Sequence, residues 1–481
     1  AGHVADLLLL AAGQPVRPRT GAEGDRPHIH FVGIGGAGMS ALAHLLLARG
    51  SIVSGCDIRA SDATRRLETL GGVIHLGHSP AHLEGVDLVV ASRAVGPETP
   101  ELMAAHAKGL EVRHRAELLG QVMRDGRSIA VAGTHGKTTT AAMTAAVLVE
   151  GGLDPTALIG ADVVEWGGNA RVGAGGWVVA EVDESDGSLL HVAPWAAAVT
   201  SLDLTDHADF YASPAHLERT FRQFLEGITP GGFAVLCADH PLVASMAEGL
   251  HVPALIYGLT AEADLTAEVH ELSGARSRAV VRRKGKRLGE LTLQVPGRHN
   301  IANALAATAI GLQVGIPFAT IARGLADFRG VERRLAILGD VDGILVVDDY
   351  AHNPVKVSVA LRAARECWPG RRVLAIFQPH RFTRTRTTHA QFAGAFRDAD
   401  EVYITEIYSA DEPPIPGVTA ALIVDAVRRQ RSVHFVASAD EVAVQVAGEA
   451  RAGDLILTLG AGDIHAAADA IVGRLRARVR R

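Results

Sequence analysis

Aromatic side chains are scarce, only 4% of 481 residues, so the cores of this chain must be built from interdigitating aliphatic groups. Cysteine is scarcer. Cys56, Cys237 and Cys367 are scattered and odd in number, with no CxxC pair and no Cys/His zinc spacing. That pattern indicates neither a disulfide framework nor a structural metal, and it fits a reducing cytoplasm. Neither sign of charge is in large excess, since 47 Lys+Arg against 53 Asp+Glu give a formal net charge of -6. Nucleic acid and an anionic membrane surface are therefore poor candidates for the main partner, and anionic ligands need locally built sites. Long apolar runs are missing too. Residues 7–12 are too few to span a bilayer and lack the basic start of a signal peptide. Residues 14–27, rich in Pro, Gly and Arg, read as a mobile lead-in. The expectation is a soluble chain with no membrane partner.

What the chain does have is length and punctuation. Its size suggests about three domains, and 48% hydrophobic with 21% charged residues is ordinary for a globular enzyme. Three times an apolar, strand-like run meets a Gly-rich turn: residues 29–32 before GIGGAG, 128–132 before GTHGKT, and 455–459 before GAGD. The first two turns open Ala- and Leu-rich helical patterns. Further strands are expected at 88–91, 177–180, 196–200, 344–347 and 373–377. Strands alternating with helices give an α/β fold with parallel sheets covered on both faces. Boundaries are expected near 120 and 328. The Arg-rich end, 474–481, alternates with apolar residues and reads as a solvated helix face.

The first turn, Gly33-x-Gly35-x-x-Gly38, with Asp57 after the next apolar run, satisfies a dinucleotide fingerprint. Its glycines let backbone approach a pyrophosphate at a helix N-terminus. A nicotinamide cofactor, another diphosphate ligand such as UDP, or a purely structural turn all fit it. The second turn, Gly133-Thr134-His135-Gly136-Lys137-Thr138 followed by Thr139, resembles a P-loop shorter than the common form. Its amides would wrap a β-phosphate, Lys137 would neutralise the β/γ oxygens, and the Thr138 hydroxyl would reach Mg²⁺. Next comes EVDESD, residues 181–186, at the end of a strand. Acidic groups there can hold a metal beside the triphosphate or cap a helix; both roles fit, with Glu181 on metal and the rest capping. A second acidic cluster, Asp203 to Asp206 beside His207, is a further ligand candidate.

Together the segments HFVGIGGAGMSALA, GTHGKTTT, EVDESD, GRHNIANALAA, FRGVERR, DDYAHNP and FQPHRFTRT, spread from about residue 28 to 463, resemble the Mur ligase family. The resemblance implies three domains: an N-terminal Rossmann-like UDP-sugar-binding domain at 28–120, a central P-loop-type ATPase at 121–328, and a C-terminal Rossmann-like domain at 329–481. It implies a ligase for UDP-N-acetylmuramate and L-alanine, driven by ATP and Mg²⁺ through an acyl phosphate, and it is compatible with a homodimer. Carried over by motif, Gly35, Gly36, Ala37, Gly38, Met39, Ser40, Asp57 and Ser92 would bind the UDP-sugar. Gly133 to Thr139 would bind ATP, with Asn300 of GRHN nearer the adenine than His299, Arg333 or Arg334 on the phosphates, and Asp348 or Asp349 at the ribose. Lys137, Glu181, His207 and His352 would be catalytic, Thr138, Glu181 and His207 would hold metal, and His352, Arg381 and Arg384 would hold the amino acid.

Several positions depart from the family pattern. The segment SLDLTDH replaces the usual Asn and Glu around the second metal, Asn353 stands where a second His is common, Cys56 where Ser is usual before Asp57, and Arg93 interrupts a Ser pair after Ser92. A carbamylated lysine used by relatives that add later residues has no counterpart, because no lysine lies between Lys137 and Lys284 and its place is taken by Arg222. The alternatives are a ligase recycling a whole peptide onto the same sugar, a nicotinamide-dependent dehydrogenase, and a non-catalytic nucleotide-binding protein.

Overall fold

The computed structural model describes residues 26–204, 210–260, 262–410 and 412–480. Its first sheet has five strands, β1 (His28–Val32), β2 (Ile52–Asp57), β3 (Val73–Leu76), β4 (Leu88–Ala91) and β5 (Glu111–His114), ordered β3-β2-β1-β4-β5. All four pairings are parallel. The order reverses direction between β1 and β4, and a crevice for ligand opens at the carboxyl ends of the strands at such a switch point. The turn after β1 and Ser92 after β4 both lie there.

The second sheet holds β6 (Arg127–Ala132), β7 (Thr156–Val163), β8 (Gly168–Arg171), β9 (Trp177–Glu181), β10 (Ala196–Val199), β11 (Phe233–Cys237), β12 (Ala254–Gly258), β13 (Leu265–Ser273), β14 (Arg276–Arg283) and β15 (Lys286–Leu293). Its order is β15-β14-β13-β12-β11-β10-β6-β9-β7-β8. In the centre β6 runs parallel to β10 and β9, with Ala132 opposite Val199 and Val131 opposite Glu181. That register brings the second Gly-rich turn, Glu181 and Thr200 to one edge.

The third sheet is β16 (Ala336–Val341), β17 (Ile344–Asp349), β18 (Arg372–Phe377), β19 (Glu401–Ile404), β20 (Val433–Phe435) and β21 (Asp454–Leu459), ordered β16-β17-β21-β18-β19-β20. Only the β16–β17 pair is antiparallel. Its two faces carry separate aliphatic clusters, one around Val347, Leu361 and Leu457, the other around Val346, Ile456 and Ile471. Strands buried on both faces read as continuous apolar runs. That is why the eight runs picked from the sequence coincide with β1, β4, β6, β9, β10, β17, β18 and β21.

The chain divides into two compact units. One runs to Glu268 and adds Ala279–Thr292 and Ala302–Arg329; the other is Val269–Arg278, Leu293–Ile301 and Gly330–Arg481. All three cysteines are reduced and buried. The Arg-rich end lies on the helix Ile464–Val479, with Ile471, Val472 and Leu475 inward and Arg474 and Arg476 exposed. Among the described residues no helix is long and apolar enough to cross a membrane.

Candidate active site

Several helix starts in this protein are closed by a side chain: Ser61, His114, Ser213, Asn353 and Ser438 each accept a hydrogen bond from a first-turn amide. The helices that follow the first two Gly-rich turns have glycine there instead. Ala37–Ala48 starts at Gly36 and Lys137–Glu150 at Gly136, and neither has a side-chain cap. First-turn amides left open in this way carry the positive end of the helix dipole and suit a phosphate.

In the first turn, Gly33 and Ile34 donate their amides to the Cys56 carbonyl, at 2.8 and 3.0 Å. Gly35 donates to the Asp57 carboxylate at 2.9 Å. A Cβ on Gly35 would come within 2.8 Å of that carboxylate, so the acidic residue at the end of β2 fixes the loop by close approach. Gly36 and Ala37 are exposed, Gly38 half-buried, and Met39 and Ser40 buried. Asn169 of β8 donates to the Ala37 carbonyl at 2.6 Å and to Ser40 Oγ at 3.0 Å. Nothing in the sequence pointed to Asn169.

The second turn is sewn to the start of the segment after β10. Thr134 N donates to Ser201 O at 3.1 Å, His135 N to Ser201 Oγ at 2.8 Å, and Thr200 Oγ1 to His135 O at 2.5 Å. Asp203 N donates to Thr134 Oγ1 at 2.9 Å. Gly133 and Gly136 have φ of 129° and 82°, a region that side chains rarely adopt, and a Cβ on Gly136 would meet Asn303 Oδ1 at 2.6 Å.

Lys137 Nζ donates to both oxygens of Glu184, at 2.9 and 2.6 Å. Burial alone would lower its pKa, but Glu184, with Asp183 and Glu181 behind it, holds the ammonium above its ordinary range. The lysine is therefore charged. Glu184 is itself fully buried, and Tyr211 Oη donates to its carbonyl. Thr138 Oγ1 donates to Glu181 at 3.0 Å, while the other Glu181 oxygen accepts from Gly160 N at 2.8 Å. Thr139 is buried in the first turn of the helix. Within EVDESD, Asp183 and Asp186 cap local amides, of Ser185 and Ser188. Glu184 faces Lys137, a pairing that was not legible from the motif. His207 lies outside the described residues.

The second unit gathers the C-terminal candidates. Arg333 donates to Asp348 at 3.2 Å and to Gly460 O at 2.7 Å, and its guanidinium lies over Tyr350. Thr458 Oγ1 donates to Asp348 at 2.6 Å. Asp349 accepts from Leu335 N and Ala351 N, and burial pushes its carboxyl up to about 6. Asn300 is buried and donates to Pro296 O at 2.7 Å. His352 and Arg384 line a small cleft with His380, Phe377 and Thr388. Desolvation holds His352 well below its usual range and brings His380 down to about 3. Both rings are neutral, so His380 Nδ1 can accept from Arg384 at 3.0 Å. Arg381 stands beside Glu412 at 4.0 Å. Arg333, Leu335 and Arg381 all have positive φ, 58°, 47° and 70°. Such residues can store strain at functional sites; Arg333 and Arg381 fall in two of the motifs and Leu335 directly follows one.

A charged lysine, a hydroxyl and carboxylates at a glycine-led helix start are the chemistry of an α/β nucleotide-triphosphate-binding protein, and a second Gly-rich helix start stands on a separate sheet. Family models match nearly the whole chain: "Mur ligase family, catalytic domain" over residues 28–127, "Mur ligase middle domain" over 131–311 and "Mur ligase, glutamate ligase domain" over 333–462. The chain belongs to the Mur ligase family. It is 45% identical over 451 residues to the UDP-N-acetylmuramate–L-alanine ligase of Geobacter sp. (strain M21), covering 93% of this chain and 98% of the relative. To the enzyme of that name from Pelotomaculum thermopropionicum it is 46% identical over 452 residues, covering 93% and 98%. The crystal structure of UDP-N-acetylmuramate–alanine ligase from Thermotoga maritima matches with TM-score 0.81 and 31% identity, over 94% of this chain and 99% of that one. A murein peptide ligase from Psychrobacter arcticus matches with TM-score 0.70 and 25% identity, over 93% and 98%. ATP is the nucleotide of this family.

Proposed function

We propose that this protein is the ATP-dependent ligase that joins the carboxylate of UDP-N-acetylmuramate to the amino group of L-alanine in peptidoglycan precursor synthesis, and that it works in the cytoplasm. The observation that carries the reading is identity of about 45% across 93% of the chain to ligases of that name. The peptide-recycling alternative is supported by lower likenesses to murein peptide ligases. The nicotinamide alternative leaves Lys137 and Glu181 without roles.

The chemistry follows from what a carboxylate lacks. Its carbon is a poor electrophile and its oxygen a poor leaving group, so one oxygen first attacks the γ-phosphorus of ATP and ADP departs. Alanine's amine then attacks the acyl carbon, a tetrahedral intermediate forms, and phosphate leaves with the C–O bond. Negative charge gathers on the transferred group, and fixed positive charge there contributes most. Lys137 supplies it. An ammonium carries three donors, and two on Glu184 leave a third for a phosphate oxygen. The amides of Gly136 to Thr138, at the helix start, take further oxygens. Magnesium, when bound, would neutralise the phosphoryl oxygens; the Thr138 hydroxyl and Glu181 carboxylate, 3.0 Å apart, are the hard oxygen donors it prefers.

The amino acid is assigned to Arg381 and Arg384, whose guanidinium groups suit a carboxylate. His352 donates Nδ1–H to Tyr350 O at 2.9 Å, which leaves Nε2 of a neutral ring as acceptor for the amine. Gly35 to Ser40, Asp57 and Ser92 are assigned to the UDP-sugar. ADP release with UDP-N-acetylmuramate and L-alanine tests the proposal; turnover with a tripeptide and none with alanine would favour the recycling reading.

A further inference from the structure

Beneath the first Gly-rich turn lies a cluster that the ligase reaction does not use. His30 from β1, Cys56 from β2, His82 from the short helix Pro80–Leu83 and Glu101 from the helix Pro100–Lys108 each offer one ligand atom, and these atoms lie within 4.8 Å of one another. His30, Cys56 and Glu101 are fully buried. His30 Nδ1 is bonded to Ser54 Oγ at 2.9 Å. Its other nitrogen, Nε2, is buried with no hydrogen-bond partner among the described residues. A buried polar atom without a partner is unfavourable, so this nitrogen asks for a ligand. Glu101 is meanwhile oriented by His82 Nδ1 at 2.9 Å, His78 Nδ1 at 3.0 Å and Ser79 N at 2.8 Å.

We propose that His30, Cys56, His82 and Glu101 form a binding site for a borderline-soft divalent cation of the zinc class. Imidazole and thiolate donors select zinc or cobalt over magnesium. Tetrahedral bonds of about 2.0–2.3 Å place donors roughly 3.3–3.8 Å apart, so the widest pair has to close by about 1 Å. Ser54 on His30 and the hydrogen bonds on Glu101 are the outer contacts that hold metal ligands in orientation. The Cys56 carbonyl accepts from Gly33 and Ile34. A cation held by Cys56 would therefore brace the turn from below, as a structural support and not as part of the chemistry.

Cobalt titrated into the full chain, stripped with a chelator, reads the site directly, because a thiolate ligand gives a charge-transfer absorption band. The expected result is one equivalent bound with that band. The band should be lost in Cys56→Ser and kept in Cys237→Ser, with a raised melting temperature when zinc replaces cobalt. Ser54→Ala should weaken binding about 10–100-fold. If Cys56→Ser does not fold, His82→Asn serves, with the same loss expected. No thiolate band, a band that survives Cys56→Ser or His82→Asn, or cobalt displaced by magnesium and ATP would overturn the proposal.

Discussion

Lys137 and Glu184 form the most informative pair in the molecule, because a buried ammonium stays charged only when a carboxylate faces it. Lys137→Ala should lower kcat by at least about 10²–10³-fold, the loss typical of a single preorganised charge-stabilising donor, while UDP-sugar affinity measured by titration is kept. Near-normal turnover would remove Lys137 from the phosphate role. On the amino-acid side, Arg381→Ala should raise KM for L-alanine far more than KM for ATP; equal increases would argue against carboxylate recognition. Asp349 gives a pH signature. Its carboxyl titrates near 6 when folded, above the ordinary 3.8, so the folded state holds the proton longer and loses stability as pH rises from about 4 to 6. The melting temperature of the wild type relative to Asp349→Asn should therefore fall across that window. A difference that is flat or rising would show that the two backbone donors offset burial.

Elements decide which residues sequence reading could find. Turns announce themselves through glycine, and apolar runs through composition, so the strands and the two open helix starts were legible. Glu184 was not separable from the capping carboxylates of EVDESD, because which of them turns inward to Lys137 depends on how the chain leaves β9. Asn169 was invisible for a related reason: an isolated Asn on a short strand carries no pattern, and only pairing of β7 with β8 brings it to the helix Ala37–Ala48. Asn169→Ala should raise KM for the UDP-sugar about 5–10-fold, the ~1 kcal/mol of a buried hydrogen bond, and leave KM for ATP unchanged. A larger change for ATP would refute a role at the first turn. Metal ligands gave the sharpest contrast. Cysteine spacing indicated no structural zinc motif, yet His30, Cys56, His82 and Glu101 come from four separate elements, and spacing along the chain says nothing about such a set.

At the scale of the whole molecule, three sheets with parallel strands at their centres each end in a loop that carries one part of the motif set. An acyl phosphate is destroyed by water, which makes exclusion of solvent during turnover a requirement of the chemistry. The radius of gyration from solution scattering should fall when an ATP analogue and the UDP-sugar are added together; an unchanged value would count against closure. The central claim is that this chain drives amide formation with ATP, and product formation tests it most directly. Purified protein given ATP, Mg²⁺, UDP-N-acetylmuramate and a panel of free amino acids should release ADP and form the new amide with L-alanine, at one ADP per bond. No amide with any amino acid, or ADP release indifferent to both the sugar and alanine, would contradict it.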